Sequence, residues 1–198
     1  MVSETTVPRD QPRHVVIAGS DSPVGAALVM HYRALGSEVS ELAMEGDYAG
    51  ATAAVTDPVD LLIIADGIVP PARRLAELER HQLAATMQRL TFRPFHIATL
   101  LRGRLAEAHG TMVLLTRREA TMTTPDPTGR YLDRPFRAAA HQLWRSLSVE
   151  WAADGIGCRL IALDRPDTHP VTIASAIAAE ATEGPVLMTG LEGEVIGW

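Results

Sequence analysis

The sequence has little of what stabilises small secreted or metal-dependent proteins. It contains one cysteine, Cys158, so no internal disulfide can form, and its seven histidines are dispersed without the spacing of metal ligands. These absences predict a reducing, cytoplasmic environment and no structural metal. We interpret Cys158 as a small buried hydrophobic residue.

Long apolar runs and an excess of basic charge are also missing. No stretch reaches the roughly 18 apolar residues that a membrane-spanning helix needs. The opening MVSETTVPRDQPR lacks the apolar segment of a secretory signal, and residues 1–12 are predicted to be a disordered tail. The formal net charge is −6 with scattered basic residues, so we expect neither a membrane nor a nucleic acid as partner.

The remaining residues, 13–198, have the composition and alternation of a single α/β domain. Hydrophobic residues make up 46% of the chain, enough for a substantial core. Strands alternating with helices predict one doubly wound parallel sheet, Rossmann-like in type. The strand-like runs are HVVIAG (14–19), VDLLIIADG (59–67), GTMVLLT (110–116) and GCRLIAL (157–163), and the helix-like segments cover about 25–35, 72–108 and 136–153.

The segment AGSDSPVG follows the first strand, where such folds hold a cofactor phosphate. Gly19 and Gly25 match the outer positions of a glycine-rich turn, and with Ser20 they are the candidate cofactor contacts. Pro23 removes an N–H donor, and Asp21 would repel a phosphate. The alternative is a tight strand-to-helix turn without ligand, in which a polar side chain caps the helix (Ser20, Asp21 or Ser22).

Three segments occur in an order that is typical of a known enzyme family. AGSDSPVG is similar to T-G-x-x-x-G-x-G, DLLIIADGI (60–68) to DVLVNNAGI, and SLSVEWAADGIGCRLIAL (146–163) to SLAVELAPHGIRVNAIAP. Over about residues 13–164 the chain therefore resembles the short-chain dehydrogenase/reductase family. The resemblance implies the fold of an NAD(P)-dependent oxidoreductase.

The residues that carry the family's chemistry are replaced. Its Asn-Asn-Ala-Gly stretch becomes IADG at 64–67, and its catalytic serine falls on Arg117, one residue after Thr116. Its Tyr-x-x-x-Lys falls on Asp133 and Arg137. Aspartate is already ionised at neutral pH and arginine stays protonated, so neither replaces the tyrosine acid. The resemblance thus implies no catalytic residue, and the alternative role of Asp133 and Arg137 is a surface i, i+4 ion pair.

Two alternatives keep some chemistry in this region. Tyr131 is the remaining candidate acid, although Pro135 rather than a lysine follows it four residues later; its other interpretation is a loop residue. Arg137 also resembles the arginine of halohydrin dehalogenases, which use Ser, Tyr and Arg without a nicotinamide. That alternative lacks both the serine and the tyrosine.

The regions that would surround cofactor and substrate are short. Between SEVSELAM and VDLLIIADG only a vestigial strand and helix fit, where family members hold adenine. The position that selects NAD or NADP falls on Ala43 and Met44. After IALDRPDTHP (161–170) the chain enters a helix without the family's substrate-covering insertion. We therefore expect this chain to bind no cofactor strongly.

The resemblance leaves intact the helix pair through which family members associate. The predicted helices carry apolar stripes, and we expect these to contact a partner subunit, with Trp144 and Trp151 as anchors. Burial in the chain's own core is the alternative. The stripes comprise Phe136, Ala140, Leu143, Trp144, Leu147 and Trp151, and, on a helix kinked by Pro94, Leu83, Met87, Leu90, Phe95 and Ala98; the terminal Trp198 is a further candidate contact.

These features predict a non-catalytic subunit of a hetero-oligomer, most simply a heterotetramer, whose catalytic homologue holds NADP. The chain resembles the non-catalytic partner found in aminocoumarin antibiotic pathways, which implies a carrier-bound β-hydroxy amino acid as substrate. The alternatives are a free-standing NAD(P)-dependent reductase with relocated residues and a nucleotide-sensing module.

Overall fold

The computed structural model describes residues 11–65, 75–121, 132–164, 168–179 and 186–197. Strands and helices alternate along these ranges, as the apolar runs predict. A π-helical turn, Gln88–Phe92, joins the third helix to the fourth. The elements are β1 (His14–Ala18), α1 (Pro23–Ala34), β2 (Glu38–Leu42), α2 (Tyr48–Ala53), β3 (Leu61–Ile64), α3 (Arg80–Met87), α4 (Arg93–Ala108), β4 (Thr111–Arg117), α5 (Arg134–Glu150), β5 (Gly157–Leu163), α6 (Pro170–Ala178) and β6 (Met188–Thr189).

The six strands form one parallel sheet in the order β2-β1-β3-β4-β5-β6. This confirms the predicted doubly wound α/β fold. Every residue of β1 and β3 is buried, which is why these strands read as unbroken apolar runs. The strand order reverses between β1 and β3, and ligands of such sheets bind beyond the carboxyl ends of the strands at this point.

Two apolar layers cover the sheet. On one face α1 and α6 bury side chains such as Leu28 and Ile173 against β1 and β3. On the other face α4 and α5 bury Ile97 and Trp144 among others. The short β2 and the six-residue α2 agree with the vestigial strand and helix that the sequence predicts.

The long helix predicted over 72–108 is interrupted in its described part. Pro94 has no N–H to donate to the carbonyl of Leu90, so the regular helical ladder cannot continue through this position. The π-helical turn Gln88–Phe92 lies one turn earlier and absorbs the irregularity.

No helix in the described ranges has both the length and the hydropathy needed to cross a membrane. The buried surface of the helices instead packs on the sheet. Cys158 follows this pattern: it is partly buried against the core on β5, and burial raises the pKa of its thiol far above the usual value. A thiol in this state is unreactive.

Candidate functional site

The turn between β1 and α1 needs both of its glycines for its own geometry. Gly19 has a φ of 91°, in the left-handed region that glycine adopts without strain. A Cβ atom on Gly25 would lie 1.9 Å from the carbonyl oxygen of Gly19. The backbone geometry of the turn therefore explains the glycine pattern by itself. Cofactor contact by Gly19, Ser20 and Gly25 stays a prediction.

Ser22 fastens this turn to the neighbouring strand. Its hydroxyl accepts a hydrogen bond from the Gly25 N–H at 3.0 Å, which makes it the N-cap of α1. The same hydroxyl donates to the carbonyl of Ala65, just after β3, at 2.8 Å. Pro23 has no N–H to offer. Two of the first three residues of α1 thus provide no free donor for a phosphate.

Asp21 occupies the space beside the end of β2. Its Oδ1 accepts a hydrogen bond from the backbone N–H of Met44 at 3.1 Å, and the Met44 side chain lies in the core. Met44 and Ala43 stand where the resemblance implies the cofactor-selecting residue. Instead of a polar side chain for a ribose, this position has a buried thioether and a nearby carboxylate that repels phosphate.

A buried ion pair occupies the first turn of α5. The Arg137 Nε donates a hydrogen bond to Asp133 Oδ1, four residues earlier. The interpretation of this pair as a surface feature is wrong, because Asp133 and Arg137 are only 8% and 5% exposed. Arg137 lies one and two turns before His141 and Trp144, on the face of α5 that packs against the sheet. Two charges buried together are tolerated because each neutralises the other.

His141 extends this pair toward β4. Its Nε2 lies 2.7 Å from the Thr116 hydroxyl, and both side chains are buried. Burial, and secondarily the positive charge of Arg137, lower the pKa of His141 to about 3. The imidazole is therefore neutral at physiological pH. We call Thr116, Asp133, Arg137 and His141 the buried polar cluster.

No sequence motif marks His141 as a functional residue. Its position four residues after Arg137 and three before Trp144 was the available signal, because it places the histidine on the buried stripe of α5. The partner Thr116 is 25 residues away in sequence. Only the packing of α5 on the sheet next to β4 brings Thr116 and His141 together.

A small, partly open cavity lies beside the cluster. Its volume is about 10 Å³, the size of a single water molecule. The cavity is lined by Leu90, Pro94, Leu114, Thr116, Arg137, Ala140 and His141.

Arg117 and Arg118 point away from this cluster at the end of β4. Arg117 Nε donates to Glu119 Oε2 at 3.1 Å. Arg118 forms exposed ion pairs with Asp164 and Glu194, and these carboxylates raise the pKa of its guanidinium. Arg117 thus takes part in a local charge pair rather than in a catalytic arrangement with Asp133.

The expected interface anchors lie in the core of the chain. Trp144 and Trp151 are 1% and 2% exposed, and the Trp144 Nε1 donates to the Arg159 carbonyl at 3.0 Å. The interface assignment is wrong for these tryptophans and for Ala140 and Leu147, because the stripe of α5 packs on the chain's own sheet. Phe136 and Leu143 are partly exposed; Tyr131 and Trp198 lie outside the described residues.

Different apolar residues of the same helix pair face solvent. Leu100 on α4 and Phe92 just before it are each 44% exposed, and Val149 on α5 is 60% exposed. Gly103 has open space where a Cβ would lie. We call Phe92, Leu100, Gly103 and Val149 the outer face of α4 and α5.

No protein-family model and no curated protein matches this chain. Solved structures do match it across nearly its whole length. The carbonyl reductase Sniffer of D. melanogaster is 16% identical, with a TM-score of 0.78, and the match covers 94% of this chain and 99% of that one. NADPH-bound carbonyl reductase from chicken fatty liver is 15% identical, with a TM-score of 0.79, over 95% of this chain and 100% of that one.

A third match is a carbonyl reductase from Pseudomonas aeruginosa PAO1, which is 17% identical, with a TM-score of 0.78, over 94% of this chain and 100% of that one. At these identities the likeness shows the fold alone. The chain has the fold of the short-chain dehydrogenases/reductases, as the sequence resemblance implies. The chemistry open to this chain depends on the residues of its own site.

Proposed function

We propose that this chain is a non-catalytic subunit of a hetero-oligomeric, NADP-dependent oxidoreductase. A catalytic homologue of the same fold would hold the cofactor, most simply in a heterotetramer. The substrate would be a carrier-bound β-hydroxy amino acid, as the resemblance implies, and the catalytic homologue would bind it. The chain's own contribution would be structural.

The buried polar cluster carries this proposal. Asp133 and Arg137 stand where the resemblance implies the tyrosine acid and its lysine, and they are committed to each other inside the core. An ionised carboxylate that already accepts from a guanidinium cannot donate a proton to a developing alkoxide. His141 is neutral but is packed against Thr116 beside a water-sized cavity.

The turn between β1 and α1 supports the same conclusion for the cofactor. Ser22 uses the Gly25 N–H, and Asp21 adds negative charge where a pyrophosphate would lie. Binding of NADPH by this chain would therefore have to overcome charge repulsion and the loss of two N–H donors in the first turn of the helix. A catalytic partner is the better host for the nucleotide.

The outer face of α4 and α5 is the proposed contact surface. Its apolar side chains have no packing role in the core that would explain them, since they are exposed while the opposite side of each helix is buried. An open position such as Gly103 permits another helix to approach closely. The proposed partner contact thus involves the helix pair that the sequence indicates, but on the solvent-exposed side of each helix.

Activity measurements test the catalytic half of the proposal. The isolated chain should not oxidise NADPH with carbonyl substrates and should not reduce NADP with β-hydroxy substrates. Turnover by the isolated chain that disappears in Tyr131→Phe would overturn the proposal in favour of a free-standing reductase. If the isolated chain shows no turnover, the result agrees with a structural role.

Co-expression tests the assembly half. The chain is co-expressed with an intact homologue from the same genome, and the mass of the complex is measured by size-exclusion chromatography with light scattering. Leu100→Asp and Val149→Asp should abolish co-elution. Met30→Asp is the matched control, because Met30 is an exposed apolar residue, 68% exposed, on α1 across the sheet. Co-elution that survives both outer-face variants, or is lost equally in the control, would contradict this interface.

A further inference from the structure

Strand β2 is an outermost strand of the described sheet. Within that sheet it neighbours β1, with which it pairs in parallel over five consecutive residues, from Glu38 to Leu42, without a bulge. An outermost strand presents one row of backbone N–H and C=O groups away from the sheet. The hydrogen bonds to β1 show which residues of β2 present these groups.

The pairing with β1 fixes the side to which each residue of β2 directs its backbone groups. The N–H of Glu38 donates to the Arg13 carbonyl at 2.8 Å, and the Leu42 carbonyl accepts from the Gly19 N–H at 2.7 Å. In a parallel strand every second residue directs both of its backbone groups to the same neighbour. Glu38, Ser40 and Leu42 therefore bond to β1.

The two residues between them, Val39 and Glu41, direct their backbone N–H and C=O groups away from β1. We call these groups the open edge of β2. No hydrogen bond from elsewhere in the described ranges reaches them. The following helix lies over a face of the sheet rather than along this edge, because Tyr48 at the start of α2 packs in the same layer as Ile97 of α4. An edge with free donors and acceptors can add a further strand.

The side chains of the open edge determine which strand it accepts. Val39 and Glu41 lie on the face of the sheet that α1 covers, where Arg33 Nη2 of α1 is 2.7 Å from Glu41 Oε1. Carboxylates on an edge strand normally repel other strands. Here Arg33 balances the charge of Glu41, and the other carboxylate, Glu38, lies at the start of the strand. The edge therefore accepts a strand that places no carboxylate directly opposite Glu41.

We propose that the open edge of β2 binds the open edge of a second copy of this chain, in an antiparallel pair with its two-fold axis at Ser40. A two-fold contact uses the same residues of both copies. In this register Val39 of each copy lies opposite Glu41 of the other, and each such pair exchanges N–H···O bonds in both directions. Glu38 lies opposite Leu42, so no two carboxylates face each other. The edge is thus complementary to itself.

The contact is small, so the dimer should be weak. Two strands of five residues bury much less than the roughly 1,200 Å² of stable interfaces, and we expect a Kd of about 10–100 µM. This inference goes beyond the proposed function, because the pairing of two copies needs no catalytic homologue. It also leaves the outer face of α4 and α5 free on each copy. Two copies joined through β2 have room for one homologue each, as a heterotetramer requires.

Amide hydrogen exchange of the isolated, full-length chain, followed by nuclear magnetic resonance, tests the pairing directly. The amides of Val39 and Glu41 should exchange more slowly at protein concentrations well above the Kd than at concentrations well below it. The Ser40 amide bonds to β1 in both states, so its exchange should change much less. Exchange at Val39 and Glu41 that does not depend on concentration, or equal slowing at Ser40, would overturn the proposal.

Charge substitutions at Val39 test the register. Val39→Glu places two carboxylates directly opposite each other at both symmetric pairs and should raise the Kd about tenfold. Val39→Lys places a cation opposite Glu41 and should lower the Kd about threefold. Analytical ultracentrifugation measures the Kd, and circular dichroism shows that each variant is folded. Equal effects of the two variants would contradict the antiparallel register and with it the proposal.

Two control variants distinguish the open edge from other surfaces. Val195→Glu is the matched control, because Val195 is a valine, 60% exposed, that bridges to β6 at the opposite end of the strand order. Leu100→Asp alters the outer face of α4 and α5. Both variants should keep the wild-type Kd, and loss of the dimer in either would refute pairing through β2. A chain that stays monomeric at all concentrations also refutes it, but leaves the proposed contact with a homologue untouched.

Discussion

Mild acid should destabilise this chain through one buried side chain, His141. Burial and the charge of Arg137 lower its pKa from 6.5 to about 3 in the folded protein. The unfolded chain therefore takes up the proton first as the pH falls. The stabilisation is complete above pH 6.5 and is lost progressively from pH 6.5 down to about pH 3.

The size of the effect follows from the width of that window. Each pH unit between the unfolded and folded pKa values removes about 1.4 kcal/mol from the free energy of unfolding. Lowering the pH from 6.5 to 5 should thus cost about 2 kcal/mol from this residue alone. Such a loss is a large part of the stability of an ordinary domain.

Urea unfolding at pH 7.5, 6.5, 5.8 and 5.0, followed by circular dichroism, measures this loss. His141→Gln keeps a group that can bond to Thr116 but does not titrate, so its free energy of unfolding should depend much less on pH. His81→Gln is the matched control, because His81 is exposed on α3 and is paired with the exposed Glu79. If the free energy of unfolding of wild type and of His141→Gln depends equally on pH between 6.5 and 5, buried His141 is not the main cause of the acid destabilisation and the prediction is wrong.

Three further predictions concern stability and cofactor. Gly25→Ala places a Cβ 1.9 Å from the Gly19 carbonyl oxygen and should cost about 3 kcal/mol by urea unfolding, whereas Gly103→Ala, with open space on α4, should stabilise by about 1 kcal/mol; equal effects would contradict the close approach. Asp133→Ala should cost about 3 kcal/mol because it removes the carboxylate that is paired with the buried guanidinium of Arg137, and the double variant with Arg137→Met should cost less than the sum of the two single variants; an additive result would show that the pair is not coupled. Calorimetric titration of the isolated chain with NADPH should give no tight binding, and micromolar affinity lost in Gly19→Val would show that the turn still holds a dinucleotide.

Several elements of the site could be inferred from residue types alone. Gly19 and Gly25 around a capping serine predict a strand-to-helix turn, since few residues tolerate a left-handed backbone or a contact with a carbonyl oxygen. Asp133 and Arg137 at i, i+4 spacing predict an ion pair. Their burial was not predictable, because helical spacing brings two side chains together without showing whether solvent or a sheet lies beyond them.

The stripe of α5 shows the same limit. The spacing of Trp144 and Trp151 indicates a buried helix face, but a partner subunit and the chain's own sheet would impose the same pattern. The structure assigns these residues to the core and leaves Leu100 and Val149 on the exposed side. An apolar stripe in a sequence indicates that these side chains are buried, but it does not indicate which surface buries them.

The sequence by itself determined the alternation of strands and helices, the parallel sheet and the absence of the expected acid/base residues, because each depends on local spacing and residue type. The tertiary structure decided which residues meet across long separations: Thr116 with His141, and Tyr48 with Arg93. These contacts depend on strand order and helix direction. Both are determined by the crossover connections of the whole sheet. The neutral state of His141 follows from burial that no single segment of the chain encodes.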